Sequence, residues 1–145
     1  MTDAASLYNA YAAALNAHDV DGVLACFGEG CLFEDVAVDA RSNGLAELRK
    51  LLGLTYRGFP DFYVDVLHVV AGPTHYAAEV VVGGTYMGPP KTLTDAERKW
   101  SARAVSFGEV ADGKIVRHSD YWNSAGFLVQ TGALVPTSSG GDVHP

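Results

Sequence analysis

The sequence predicts an α+β domain, with helices gathered toward the N-terminus and a curved antiparallel sheet wrapped around the long first helix. Three observations carry this. Apolar residues recur at helical spacing as far as about Leu54. From Phe62 to Trp122 the pattern changes to runs of β-branched and aromatic residues with two-residue alternation. Helices followed by strands, rather than strict alternation of the two, is the signature of α+β architecture. The chain has 145 residues, 48% hydrophobic and 19% charged, which suits one domain with one core.

The elements follow in order. Leu7, Tyr8, Tyr11, Ala14 and Leu15 form one stripe of a helix over roughly the first fifteen residues, with Asp3 or Ser6 as its cap. Asp19 caps a second short helix from Val20 to Phe27, and Gly28-Glu29-Gly30 reads as a turn. Residues 31–36 read as a strand, 37–44 as a loop, and Leu45 to Leu54 as a helix with leucines at 45, 48, 51 and 52. Four longer strands follow, over 62–71, 75–87, 98–110 and 114–122. Gly72-Pro73-Thr74 and Ala111-Asp112-Gly113 are the turns of two hairpins, and Gly88 to Glu97 is a charged loop. Gly83-Gly84, inside a strand pattern, reads as a bulge or bend. Asn123 or Ser124 caps a last short helix, 125–130. The domain spans residues 1–135, with a polar tail over 136–145.

Seventeen Asp and Glu against ten scattered Lys and Arg give a net charge of −7. That excludes a nucleic-acid or anionic-membrane surface, which needs clustered cations. The opening residues lack a basic segment, and the apolar run 10–17 is broken at Asn16, so no signal peptide is expected. No run reaches the roughly 18 apolar residues of a membrane span, and a cytoplasmic protein is expected. Cys26 and Cys31 are the only cysteines and read as reduced core thiols rather than a metal site. Neither a phosphate-cradling glycine loop nor a Gly-x-Ser-x-Gly elbow is present. A cofactor-independent protein with a hydrophobic small-molecule partner fits this inventory.

Alternation places Phe33 and Asp35 on one strand face, and His118, Asp120 and Trp122 on one face of the last long strand. A carboxylate in an apolar cone has its pKa raised by desolvation and becomes a better base. Two in one pocket have their pKa values pushed apart, one ionised as base and one protonated as acid. Tyr56, Phe59, Phe62, Tyr86, Met87, Trp100, Phe107 and Trp122 supply the apolar lining such a pocket needs.

A family resemblance accompanies these residues. The stretch from Tyr11 to Gly22, with Leu15, Asn16, Asp19 and Asp21, resembles the first helix and turn of bacterial Δ5-3-ketosteroid isomerases. So does Phe33-Glu34-Asp35, followed nine residues later by Gly44 and a helix. Ser119-Asp120-Tyr121-Trp122-Asn123, the run from Phe127 to Gly132, and Gly88-Pro89-Pro90 are similar to SnoaL-like polyketide cyclases, and the C-terminal run also to limonene-epoxide-hydrolase-type enzymes. All share the cystatin-like cone of the nuclear transport factor 2-like superfamily, and the resemblance spans about residues 5–132.

The resemblance implies an isomerase, cyclase or dehydratase, a lyase- or isomerase-class enzyme acting on a polyketide-, steroid- or terpenoid-like carbonyl compound. It implies Asp35 as general base, Asp120 as acid or acid/base, Tyr11 as hydrogen-bond donor to an enolate, and a homodimer joined through the outer sheet face. His118, one pleat from Asp120, is a candidate to orient it or donate to substrate. The chain departs from each pattern. Ala104-Val105-Ser106-Phe107 lacks the isomerases' second carboxyl group, and residues 79–84 lack the epoxide hydrolases' Arg-x-Asp. Asn123 replaces the acid that commonly ends the cyclases' Asp-Tyr-Trp motif. A non-catalytic module binding a hydrophobic ligand, or a water-adding hydrolase, remains as an alternative.

Overall fold

The computed structural model describes residues 3–132. The expected tail at 136–145 lies outside them. Helix α1, Ala4–Asn16, starts where the Asp3 carboxylate accepts from the Ser6 N–H. Asp19 caps α2, Val20–Ala25, in the same way through Gly22. Strand β1 is Phe27–Asp35, followed by a 3₁₀ turn at Val36–Val38, β2 at Ala40–Asn43 and α3 at Gly44–Gly58. The remaining strands are β3 Tyr63–Ala71, β4 His75–Thr85, β5 Lys99–Ala111 and β6 Lys114–Trp122. Helix α4, Asp95–Arg98, precedes β5, and α5, Ser124–Gln130, follows β6 under an Asn123 cap. Among the described residues no helix is long and apolar enough to cross a membrane.

The six strands form one open sheet in the order β2-β1-β6-β5-β4-β3. Most of its pairs are antiparallel, but β1 runs parallel to β6. This corrects the purely antiparallel expectation. A parallel pair needs a long crossover, and here the four strands β2 to β5 and the helices among them supply it. Gly28 to Gly30 is part of β1 rather than a turn, at the place where its register against β6 shifts. The Gly83-Gly84 bulge is also absent: both pair regularly with β5, and the ladder shift lies in β3 between Val66 and His68. Gly83 is required by close packing, because a Cβ there would meet the Trp100 carbonyl and the Tyr63 ring.

Helix α1 lies across the concave face, burying Leu7, Tyr8, Tyr11 and Leu15 against it. Its end is pinned to the β3 edge. Asn16 donates through Nδ2 to the Val64 carbonyl at 2.8 Å and accepts the Val64 N–H at 2.7 Å, so its amide completes the edge as a strand would.

Register sets the concave face in rows. Tyr76, Gly108, His118 and Phe33 align across β4, β5, β6 and β1. One pleat on, Ala78, Ser106, Asp120 and Asp35 form the next row, and Val80, Ala104 and Trp122 the one after. Because side chains alternate, all three rows face α1.

Candidate active site

Between α1, α3, α5 and the sheet lies a cavity of about 420 Å³, in the usual range of small-molecule sites, roughly 300–1,000 Å³. Tyr8, Tyr11 and Leu15 wall it from α1, and Leu51, Leu52 and Thr55 from α3. Phe33, Phe59, Phe62, Trp100 and Trp122 line it as the sequence suggests, joined by Phe127 from α5. The polar side chains in the sheet wall are Asp35, Ser106 and Asp120.

Four expected lining residues lie elsewhere. Phe107 is on the convex face, under the Arg117 guanidinium, because inward parity in β5 belongs to Ala104 and Ser106. Met87 is half exposed beyond the end of β4. Tyr86 packs against Phe59 and Phe127, outside the ring of side chains that bounds the cavity. Tyr56 stacks on His18 and donates its hydroxyl to the Leu15 carbonyl at 2.7 Å, tying α3 to the end of α1.

The parallel register of β1 and β6 sets Asp35 directly beside Asp120, on strands about 4.8 Å apart. Each carboxylate uses the same oxygen for its fixed bonds. Asp35 Oδ1 accepts from Trp122 Nε1 at 2.8 Å and from the Ala37 N–H at 3.2 Å. Asp120 Oδ1 accepts from Ser106 Oγ at 2.6 Å and faces His118 Nε2 at 2.8 Å. The Val38 N–H also acts on the Asp35 carboxylate, while the hydrogen bonds of both acids gather on Oδ1 and leave Oδ2 toward the cavity among the described residues.

Their electrostatics differ. Burial pushes the Asp35 carboxyl above the ordinary range; the Trp122 bond opposes this and the Asp120 charge adds to it. Burial also acts to raise Asp120, but His118 and the Ser106 hydroxyl outweigh it and hold that carboxyl below its usual value. Burial and the Asp120 charge push Tyr11 well above its ordinary value, so at neutral pH its hydroxyl is a neutral donor.

Of the two roles open to His118, orienting Asp120 or donating to substrate, its position fits the first: it is fully buried behind Asp120. Its ring stacks on Phe33 at 4.8 Å and meets Tyr11 at 5.0 Å, and its Nδ1 lies 2.6 Å from the Tyr76 hydroxyl. Tyr8, Tyr76, Ser106 and Phe127 are site residues that sequence reasoning missed. For Ser106 a signal existed, since it shares the inward parity of Trp100 and Ala104 on β5. Among the described residues no group of three or more His, Cys, Asp and Glu side chains could hold a metal ion.

Comparison with known proteins agrees with this architecture. A candidate polyketide cyclase from Xanthomonas campestris pv. campestris is 28% identical, with a TM-score of 0.76 over 88% of this chain and 95% of that one. A protein of ketosteroid isomerase-like fold from Catenulispora acidiphila, solved with trimethylamine, is 19% identical, with a TM-score of 0.78 over 93% and 100% of the two chains. An epoxide hydrolase of the LEH-like type from M. tuberculosis is 21% identical, with a TM-score of 0.70 over 88% and 87%. The latter two show the shared fold. No curated protein sequence matches the chain. The SnoaL-like domain matches residues 8–118, most of the chain. On that match and this cone of sheet and helix, the chain belongs to the SnoaL-like domain family, on the ketosteroid isomerase-like fold of the nuclear transport factor 2-like superfamily.

Proposed function

We propose that the protein is a small cofactor-independent acid–base enzyme acting on a hydrophobic carbonyl compound of polyketide, steroid or terpenoid character. The observation that carries this reading is the β1–β6 register, which sets two carboxylates side by side in an apolar cavity with no cation in its wall among the described residues. Asp120, held ionised, takes a proton through Oδ2 from the carbon next to the substrate carbonyl. The C–H electron pair moves into the new C=C bond and the carbonyl pair onto oxygen. Asp35, more readily protonated, donates a hydrogen bond to that oxygen, and Tyr11 offers a second neutral donor. Asp120 then returns its proton: the enolate is reprotonated at another carbon, or attacks an internal carbonyl whose new alkoxide takes the proton, or expels a β-hydroxyl that takes the proton and leaves as water. These are isomerisation, cyclisation and dehydration.

A water-adding role has less support. The inward residues of the middle strand are Val80 and Val82, while Glu79 pairs with Arg103 on the convex face. The test is solvent-deuterium exchange into the α-carbon of polycyclic ketones. Exchange that disappears in Asp120→Asn supports enolate chemistry. Binding without exchange in the wild type makes the cone a ligand-binding module.

The convex face exposes Tyr63, Val70, Val105 and Tyr121. We propose that this face joins two copies in a homodimer. A monomer mass at micromolar concentration in sedimentation would contradict it.

A further inference from the structure

The row behind the two carboxylates holds a polar chain that the chemistry above does not use. Tyr76 on β4 and His118 on β6 are separated by a whole strand, β5, yet the Tyr76 hydroxyl reaches His118 Nδ1 at 2.6 Å. The residue between them in the row is Gly108, and a Cβ there would overlap the Tyr76 ring and hydroxyl. The glycine therefore opens the space through which Tyr76 crosses its neighbour. Both Tyr76 and His118 are at most 1% exposed.

Hydrogen-bond accounting fixes the direction of the chain. An ionised Asp120 can only accept, so His118 Nε2 must carry its proton and donate to Oδ1. Nδ1 is then a bare acceptor, and the Tyr76 O–H donates to it. Every member is satisfied. A carboxyl hydrogen on Asp120 Oδ2 leaves this chain intact. If the pair instead takes up a proton at Nδ1, or on Oδ1 with that hydrogen given to Nε2, Nδ1 becomes a donor. Tyr76 must then accept, and its own hydrogen is left unpaired in a buried place.

We propose that Tyr76, reaching across Gly108 and acting through His118, is a positioning residue that holds His118 as the neutral Nε2–H donor to Asp120 Oδ1, so that Oδ2 is the oxygen that exchanges protons with the substrate. This rests on the acid–base reading of Asp120 but is tested apart from it. The other titratable groups facing the pair are Tyr8 and Tyr11 from α1, Asp35 from β1 and, nearer Tyr76, Cys26 at the end of α2. None of them occupies Nδ1.

The experiment is a pH titration of the ligand-free protein by NMR, following the His118 ring nitrogens and the Asp120 carboxyl carbon. In the wild type, His118 should be the Nε2–H tautomer. Tyr76→Phe removes only the hydroxyl and leaves one unpaired group in either protonation state. Proton uptake by the His118 ring should therefore move up, relative to the wild type, by about one pH unit. Gly108→Ala, which displaces the Tyr76 ring, should move it the same way; Tyr76→Phe carries the test if that variant does not fold. Coincident titrations of wild type and Tyr76→Phe, or an Nδ1–H tautomer in the wild type, would overturn the proposal. Failure of the acid–base reading shows elsewhere, as α-carbon exchange that survives Asp120→Asn.

Discussion

Strands β1 and β6 carry two sets of polar residues one position apart, and the sheet turns them to opposite sides. Outward, Glu34 lies beside Ser119, which donates to it at 2.6 Å, with Arg117 at 3.7 Å and Arg41 at 3.6 Å. Arg117 also donates to Glu109, and that bond lowers the Glu109 carboxyl pKa. Inward, Asp35 lies beside Asp120, and their partners are an indole, a hydroxyl and an imidazole. Outside, charge meets opposite charge and the acids are neutralised. Inside, negative charge is held by hydrogen-bonding side chains without a permanent cation, in a space a ligand can enter. Only the second arrangement leaves reactivity unspent.

The largest expected effect separates the two faces by activity. Asp120→Asn should lower turnover of a responsive ketone by roughly 10²–10⁴-fold, the usual worth of a general base. Glu34→Gln, one residue from Asp35 but outward, should stay within about twofold of the wild type in activity while lowering the melting temperature, because the largely buried carboxylate faces Arg117 and Arg41. Steady-state kinetics and thermal melts measure both.

A second contrast lies between the two inner acids. The folded state raises the Asp35 pKa, so its contribution to stability is present in acid and lost as pH rises through the folded value. Asp35→Asn should therefore melt higher than the wild type at neutral pH and alike in acid. Asp120 has a lowered folded pKa, so its contribution is present above the ordinary carboxylate value and lost as pH falls through the folded one. Asp120→Asn should melt lower at neutral pH. Equal shifts of the same sign would remove the asymmetry.

A smaller effect concerns Trp122. Trp122→Phe deletes the indole donor to Asp35 and should raise that carboxyl by a further unit or so, about one hydrogen bond's worth. The alkaline limb of a pH–rate profile should move with it. The smallest expected effect is on the convex face, where Val105→Lys with Tyr121→Lys should halve the mass in solution and leave the inner titrations in place.

Much of the fold was legible in local pattern. Caps at Asp3, Asp19 and Asn123 and turns at Gly72-Pro73 and Asp112-Gly113 mark the element ends, because each satisfies a local backbone requirement. The inward parity of Asp35 and Asp120 followed from alternation alone. Their adjacency did not, because pairing of β1 with β6 joins residues 85 positions apart and no local pattern encodes it. Phe107 shows the opposite error. Its aromatic character suggested a cavity wall, whereas strand parity, readable from Trp100, Ala104 and Ser106, puts it outside. Strand alternation puts His118 beside an acid and leaves open whether it orients that acid or meets substrate. Its role is set by Tyr76, which reaches it only because Gly108 has no side chain.

The account's central claim is that the concave face holds two adjacent carboxylates whose ionisations are split, and carboxyl ¹³C NMR titration of the ligand-free protein tests it most directly. The expected result is an Asp35 carbon titrating above the ordinary range and an Asp120 carbon titrating below it, with the Asp35 midpoint falling when Asp120 is changed to Asn. Two ordinary, coincident titrations, or the reverse order, would contradict it.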